Sequence, residues 1–333
     1  MTGSQRGALR QAGLSRSSWH YRHKPRARTP NPVAHRDRNY PNRLDATTRA
    51  EITDRIEQAW ANSLSVDHAF ASAWDESVMV ASRRSWWRIA ADITTTTRPV
   101  IPRKSTTSKG TGARAKPVVA ADGPGQVWSW DITDLKGPYI RVMYKAYSVI
   151  DIFSRKIVAW RVEEREDKTL VTEMFEQALA SHGRPHTVHA DNGPSMKSDD
   201  LKYVLADHGV DMTHSRPSVS NDNPYSESEF RTMKYRPNYP GTFDDLDQAR
   251  EFMAEYVPWY NAFHKHSGVG LFSPQEVHDG SWTTNWSIRD QALQDYYDQH
   301  SERFHHRPVT PLPPGLVGIN HKDPSTDSKQ LDN

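Results

Sequence analysis

"QVWSWDITDL" (126–135), "KAYSVIDIF" (145–153) and "KIVAWRVEE" (156–164) follow one another with short breaks between them. Each is rich in β-branched and aromatic residues, and Ser154–Arg155 marks a turn between the last two. They read as three strands of a meander. "DKTLVTEMFEQALASHG" (167–183) then changes period. It is an amphipathic helix, with Leu170, Met174 and Leu179 inward and Gly183 as its stop. "HTVHADNG" (186–193) is a short strand running into a loop, and "SDDLKYVLADHG" (198–209) a helix with another Gly stop. "VDMTHSRP" (210–217) is a fifth strand. "PYSESEFRTMKYRP" (224–237) and "LDQAREFMAEYVPWYNAFHKH" (246–266) are helices. A meander followed by alternating elements predicts an α/β fold, a mixed five-stranded sheet with helices on its faces.

The rest of the chain has another texture. Residues 1–46 form a basic, Pro-containing arm, in which "GALRQAGLSRSSWHYR" (7–22) reads as a short helical hairpin. Residues 47–92 read as three helices of helix-turn-helix type. The stretch 82–89 is its candidate recognition helix, offering Arg83, Arg84 and Arg88 to DNA. A competing reading makes Trp86, Trp87 and Ile89 core and the arginines a solvated face. Residues 93–124 read as a basic linker. Residues 125–280 make up the α/β region, and 281–333 read as a further helix and a mobile tail.

Composition narrows the chemistry. The 333 residues are 35% hydrophobic and 25% charged, enough for two or three domains. The absence of cysteine excludes disulfides, thiolate zinc sites and cysteine nucleophiles. The N-terminal stretch lacks the apolar core of a secretory signal, and no apolar run is long enough to span a membrane. Residues 1–116 hold 21 Lys and Arg against 9 Asp and Glu, whereas residues 117–333 hold 22 against 32. A basic front half predicts a polyanion-binding surface.

Three carboxylates stand out. Asp131 sits within the apolar strand "VWSWDIT", where an unpaired carboxylate loses several kcal/mol of hydration. Asp191 follows the strand "TVHA" and precedes Asn192–Gly193, so it also fits an Asx turn. Glu227 and Glu229 are two residues apart, about 200° around a helix, so only one can face a given site. Glu227 shares a stripe with Arg231 and Lys234, at i, i+4 and i+7. A carboxylate followed by bases suits metal ligation beside a phosphate backbone, and also an ordinary intrahelical ion pair. An all-oxygen set of this kind suits Mg²⁺ or Mn²⁺, with two ions for phosphoryl transfer.

These residues and the words "WSWDIT", "VIDIFSRKIVAW", "HADNG", "DNPYSES" and "WYNAFHKHSGVGLFSPQEVHDG" resemble insertion-sequence transposases of the insertion-sequence three type, with a retroviral-integrase-like core. Asp131, Asp191 and Glu227 look like the two-aspartate, one-glutamate triad of that group. Asp191 and Glu227 have 35 residues between them, the spacing typical of it. The resemblance is strong over 125–280 and looser before it. It implies a ribonuclease-H-like fold, with the first aspartate on the central strand, the second after the fourth strand and the glutamate on a following helix. It selects Glu227 over Glu229, because the family's glutamate directly precedes the serine of "ES". It also implies that Arg231 and Lys234 touch DNA ends.

The expected function is therefore transposition: metal-dependent DNA strand cleavage and strand transfer at the ends of a mobile element. The expected partners are DNA, element ends and target alike, further copies of the chain on that DNA, and an upstream-frame helix-turn-helix protein. The expected location is cytoplasmic, on the nucleoid. Two alternatives remain at this point. A ribonuclease-H-like nuclease without strand transfer would want a fourth carboxylate, for which Asp134, Asp151 and Glu229 are candidates. A non-catalytic DNA-binding protein would rest on the basic N-terminal half alone.

Overall fold

The computed structural model describes residues 5–24, 31, 33–34, 38, 40, 43–93, 118–191, 193, 196, 198–216 and 223–320. Most of the expected linker (94–117), the end of the expected tail (321–333) and parts of the N-terminal arm lie outside the described residues.

Residues 1–43 form one compact unit and residues 44–333 another. The first contains α1 (Gln5–Gln11) and α2 (Arg16–His23). The Ser15 hydroxyl caps α2 by accepting from the Ser18 amide, and the Trp19 and His23 rings stack one turn apart at 4.2 Å.

The second unit begins with α3 (Ala46–Ala61), α4 (Val66–Asp75) and α5 (Arg83–Asp92). Asp45, Ser65 and Ser82 cap them, each accepting from the amide three residues on. Ile52, Ile56, Trp60, Phe70, Trp74, Trp86 and Ile89 fill their shared core. Leu271, Ala292 and Leu293 belong to the same core, so these helices pack on the later part of the chain.

The strands are β1 (Val119–Ala121), β2 (Val127–Lys136), β3 (Met143–Asp151) and β4 (Ile157–Glu163). After α6 (Lys168–His182) come β5 (Thr187–Ala190), α7 (Asp199–Asp207) and β6 (Asp211–His214). The remaining elements are α8 (Pro224–Lys234), α9 (Leu246–Ala262), α10 (Pro274–Asp279), α11 (Trp282–Gln299) and β7 (Val317–Ile319). The main sheet has five strands in the order β4-β3-β2-β5-β6. β4, β3 and β2 run antiparallel, and β5 and β6 lie parallel to β2. This is the ribonuclease-H-like mixed sheet expected from the element order.

Alternation along β2 sorts its side chains between two layers. Trp128 and Trp130 pack with Val171, Phe175 and Leu179 of α6 and Leu201 and Leu205 of α7. Leu135, on the opposite face, packs with Phe230 and Met233 of α8 and Met253 and Tyr256 of α9. Ser129, Asp131 and Thr133 share that second face by period two, so Asp131 looks toward α8.

Two departures from the sequence expectations concern the ends of the core. The segment read as the end of a linker forms β1, and the segment read as a mobile tail forms β7. They pair antiparallel, Val119 opposite Ile319 and Ala121 opposite Val317. Each strand is three residues long and its partner is almost two hundred residues away, so no local pattern announces the pair.

One buried ion cluster ties α11 to the helical unit. Arg289 is 1% exposed, and its Nε donates to Asp75 at 2.6 Å. Its other nitrogens donate to the carbonyls of Gly270 and Leu271, and Lys265 donates to Asp75 at 2.7 Å. Removing one partner of a buried pair leaves an uncompensated charge. We therefore expect Asp75→Ala, which strands both Arg289 and Lys265, to cost about 3–5 kcal/mol in urea unfolding. The paired replacement Asp75→Leu with Arg289→Met is expected to cost clearly less. Equal losses in the two would contradict the account.

Candidate active site

The parallel pairing of β2 with β5 aligns the two aspartates. Trp130 stands opposite Ala190 in register. Asp131 and Asp191 are the next residues after this pair, and they lie close enough for the charge of Asp191 to act on Asp131. The crevice beyond the C-terminal ends of parallel strands is where α/β sheets hold ligands.

Each aspartate is held locally. Asp131 Oδ1 accepts from the Ile132 amide at 2.8 Å. Asp191 Oδ1 accepts from the Ser215 hydroxyl at 2.6 Å, and the Ser215 amide donates to the Ala190 carbonyl. His214 Nδ1 lies 3.1 Å from the Asp191 carbonyl oxygen.

The third carboxylate comes from α8. Glu227 is exposed and Glu229 is 1% exposed, as two positions about 200° apart on one helix require. The start of α8 is fastened to β2 by a buried polar knot. The Ser129 hydroxyl donates to Asn223 Oδ1 at 2.5 Å and lies 3.0 Å from the Ser226 hydroxyl. Asn223 Nδ2 donates to the Trp130 carbonyl at 3.3 Å. Asn223 and Ser226 were not singled out by the sequence reading. Their signal was slight: small polar residues at the start of a helix otherwise destined for the core.

Lys234 fastens the other end of α8. Its Nζ donates to the Thr133 hydroxyl at 2.6 Å and to the Asp134 carbonyl at 3.0 Å. The stripe Glu227–Arg231–Lys234 thus divides. Arg231 is exposed, its guanidinium 5.8 Å from the Tyr235 ring, whereas Lys234 is part of the packing. On α5, Arg83 is engaged by Asp67 through two bonds of 2.8 and 2.6 Å, while Arg84 and Arg88 are exposed. Trp86 and Ile89 are core, but Trp87 is 44% exposed.

The carboxyls of Asp131 and Glu227 feel burial and neighbouring carboxylate charge more than the charge of the nearby Lys234. Burial, then the neighbouring charges of Asp191 and Glu227, push the Asp131 carboxyl up to about 7. Burial and Asp191 likewise raise Glu227. Among the described residues no three His, Asp or Glu side chains close up as a ready-made metal cage. The donor set is nonetheless all oxygen, and carboxylates gathered from β2, the end of β5 and α8 fit a hard divalent cation that would offset their charge.

Glu229 is a different kind of carboxyl. Burial pushes it up to about 8, so it is mostly protonated at neutral pH. Neither oxygen makes a hydrogen bond of normal geometry, although the Ser148 and Tyr256 hydroxyls stand close by. Of the other candidates for a fourth carboxylate, Asp134 is exposed and paired with Lys145 at 2.7 Å. Asp151 accepts from the Gly125 amide and from the Ser154 amide and hydroxyl.

Two profiles of the integrase core domain match the chain, over residues 121–220 and 208–274. Residues 121–274 are thus similar to the integrase core domain. Asp131 and Asp191 fall inside the first match and Glu227 inside the second. The chain is 31% identical over 162 residues to the transposase for insertion sequence element IS904 of Lactococcus lactis, covering 48% of this chain and 63% of that protein. It is 30% identical over 163 residues to the transposase InsF for insertion sequence IS3A of Escherichia coli, covering 47% and 54%. The resemblance to transposases of the insertion-sequence three type is thereby borne out. The chain spans between half and two thirds of the length of these curated relatives. Among solved structures, the catalytic core domain of HTLV-2 integrase in complex with magnesium aligns at 17% identity and a TM-score of 0.35, covering 47% of this chain and 97% of that one. The fold assignment rests on the strand order and the profiles. No helix among the described residues is long and apolar enough to cross a membrane.

The raised carboxyls have a consequence for stability without metal. The folded pKa of Asp131 (about 7) lies above its unfolded value of 3.8. The folded state therefore holds a proton that the unfolded state has lost between these values, and stability falls as pH rises through that window. Glu229 adds the same trend between 4.5 and about 8. In chelator, Asp131→Asn and Glu229→Gln are each expected to gain on the order of 1–3 kcal/mol at pH 8 and nothing at pH 4. Urea melts at the two pH values check this, and parallel pH profiles for the variants and the parent chain would contradict it.

Proposed function

We propose that this chain is a transposase: a metal-dependent polynucleotidyl transferase that cleaves and joins DNA strands at the ends of a mobile element. The observation that carries this reading is that Asp131 on β2, Asp191 just after the neighbouring parallel β5 and Glu227 on α8 lie near enough for their charges to act on one another. The match to the integrase core domain and to curated transposases supports it. We infer that the three carboxylates hold Mg²⁺ or Mn²⁺ as two ions, and that the reaction passes through no covalent enzyme intermediate.

When bound, such ions stabilise the attacking and leaving oxygens of an in-line displacement at phosphorus. The chain's own residues supply the rest. Asp131 on the central strand and Asp191 just after β5 form one side of the site, and Glu227 closes it from the helix. Ser129, Asn223 and Ser226 hold that helix in place, and Ser215 orients Asp191. In the first reaction a water oxygen bonds to phosphorus and the bond to the 3′ oxygen breaks, freeing a 3′-hydroxyl. In the second that hydroxyl attacks another phosphodiester, so one bond is exchanged for another and no energy source is needed. Arg231 is available to phosphate, as are Arg84 and Arg88, and Arg83 once it releases Asp67. Lys234 reaches DNA only by leaving Thr133.

Further proposals follow from the same reading. The protein acts as an oligomer on DNA in the cytoplasm, on the nucleoid, with an upstream-frame helix-turn-helix protein as partner for finding element ends. A nuclease without strand transfer has less support, since Asp134 and Asp151 are engaged elsewhere and Glu229 is buried and neutral.

Strand cleavage of end-sequence DNA with Mg²⁺ tests the triad. Asp131→Asn, Asp191→Asn and Glu227→Gln are each expected to lose several orders of magnitude, whereas Glu229→Gln keeps most activity. A dead Glu229→Gln beside an active Glu227→Gln would overturn the assignment. Detection of joined products separates transposition from simple hydrolysis.

The two bases of α8 should separate as well. Arg231→Ala is expected to weaken DNA binding and to reduce the slope of log affinity against log salt by about one. Lys234→Ala is expected to lower the unfolding midpoint as well, because it frees Thr133 and the end of α8. Equal salt slopes for Arg231→Ala and the parent chain would refute the phosphate role.

A further inference from the structure

We propose that the cleft between α5 and the corner joining α8 to α9 is a nucleobase pocket, which takes one unstacked base of a DNA strand lying along α8. The proposal rests on the reading of the chain as a DNA strand-transfer enzyme and adds to it a second contact, remote from the carboxylates.

The cleft is a cavity of about 270 Å³, at the small end of ligand pockets and of a size for a single base. Trp60 and Trp87 line it from the helical unit, and Tyr235, Arg236, Trp259 and His264 from the core. Aromatic walls accept any base by stacking. Trp87 is 44% exposed and Tyr235 36%, so two large aromatic side chains stand in water at this cleft.

The polar groups point the same way. Arg236 lines the cleft with its guanidinium 3.5 Å above the Trp259 ring, so a base entering it meets a cation as well as aromatic faces.

Position and charge select DNA as the source of that base. Tyr235 is eight residues beyond Glu227 on the same helix, about 12 Å along the axis. That distance is three to four nucleotide steps of duplex at about 3.4 Å each. Arg231 lies between them, beside Tyr235. On α5 the exposed Arg84 and Arg88 flank Trp87. A basic rim around an aromatic interior is the arrangement by which proteins hold unpaired strands.

The test uses the full chain in chelator and a single-stranded oligonucleotide carrying one 5-iodouracil. Irradiation followed by mass spectrometry is expected to map cross-links to Trp87, Tyr235 or Trp259. Trp87→Ala and Tyr235→Ala are each expected to weaken binding of the single strand by about tenfold, with Trp87→Phe near the parent value and intact duplex bound within twofold. Cross-links confined to other residues, together with losses below twofold in both alanine variants, would overturn the proposal. So would a change from dimer to monomer in Trp87→Ala with oligonucleotide binding unchanged, which would make the cleft a contact between copies. Mg²⁺-dependent cleavage by the same preparations keeps the two readings apart. Cleavage that depends on Asp131 while cross-links miss the cleft removes this inference alone, and cleavage that survives Asp131→Asn removes the functional reading instead.

Discussion

The step in register after Trp130 and Ala190 brings Asp131 and Asp191 near each other, and most of the molecule can be understood as holding them there. Two neighbouring carboxylates repel each other, and Glu227 adds a third charge. The sheet bears this cost because β2 is its central strand, paired on both sides and buried by tryptophans on the face away from the site. A strand at the edge would be free to slip, and a slip of one residue would turn Asp131 into the opposite layer.

The helix that brings Glu227 is fixed at both ends by polar bonds and in the middle by apolar packing. Asn223 and Ser226 meet Ser129 at its start, Phe230 and Met233 enter the core, and Lys234 reaches Thr133 at its end. Both β2 side chains involved, Ser129 and Thr133, lie on one face by simple alternation. The same helix carries two glutamates with opposite fates. Glu227 stands in the open with Asp191 near it, and burial leaves Glu229 neutral. Little more than half a helical turn separates two identical side chains with such different surroundings.

The sequence displayed this fold unusually fully, because long amphipathic helices and apolar strands alternate with Gly and polar breaks. The resemblance to transposases supplied what periodicity could not, the choice of Glu227 over Glu229 and the grouping of three distant carboxylates. Other features were hidden for physical reasons. β1 and β7 are too short and too far apart to show a pattern. The helix α10 is six residues long, although its capping box, Ser273 with Glu276, is written in the chain. Lys234 falls on the Glu227 stripe by arithmetic, yet its long stem lets the ammonium turn back to β2. Asp75 and Arg289 are 214 residues apart, so nothing local reveals their pairing.

The central claim is that this carboxylate cluster is built for a cation and is electrostatically incomplete without one. Metal binding must then release the proton that Asp131 retains. Calorimetric titration with Mn²⁺ in buffers of different ionisation enthalpy measures that release directly. With the Asp131 carboxyl at about 7, the account predicts release of about half a proton per chain at pH 7 and more at pH 6, abolished in Asp131→Asn. Binding without proton release at either pH, or equal release from Asp131→Asn, would contradict it.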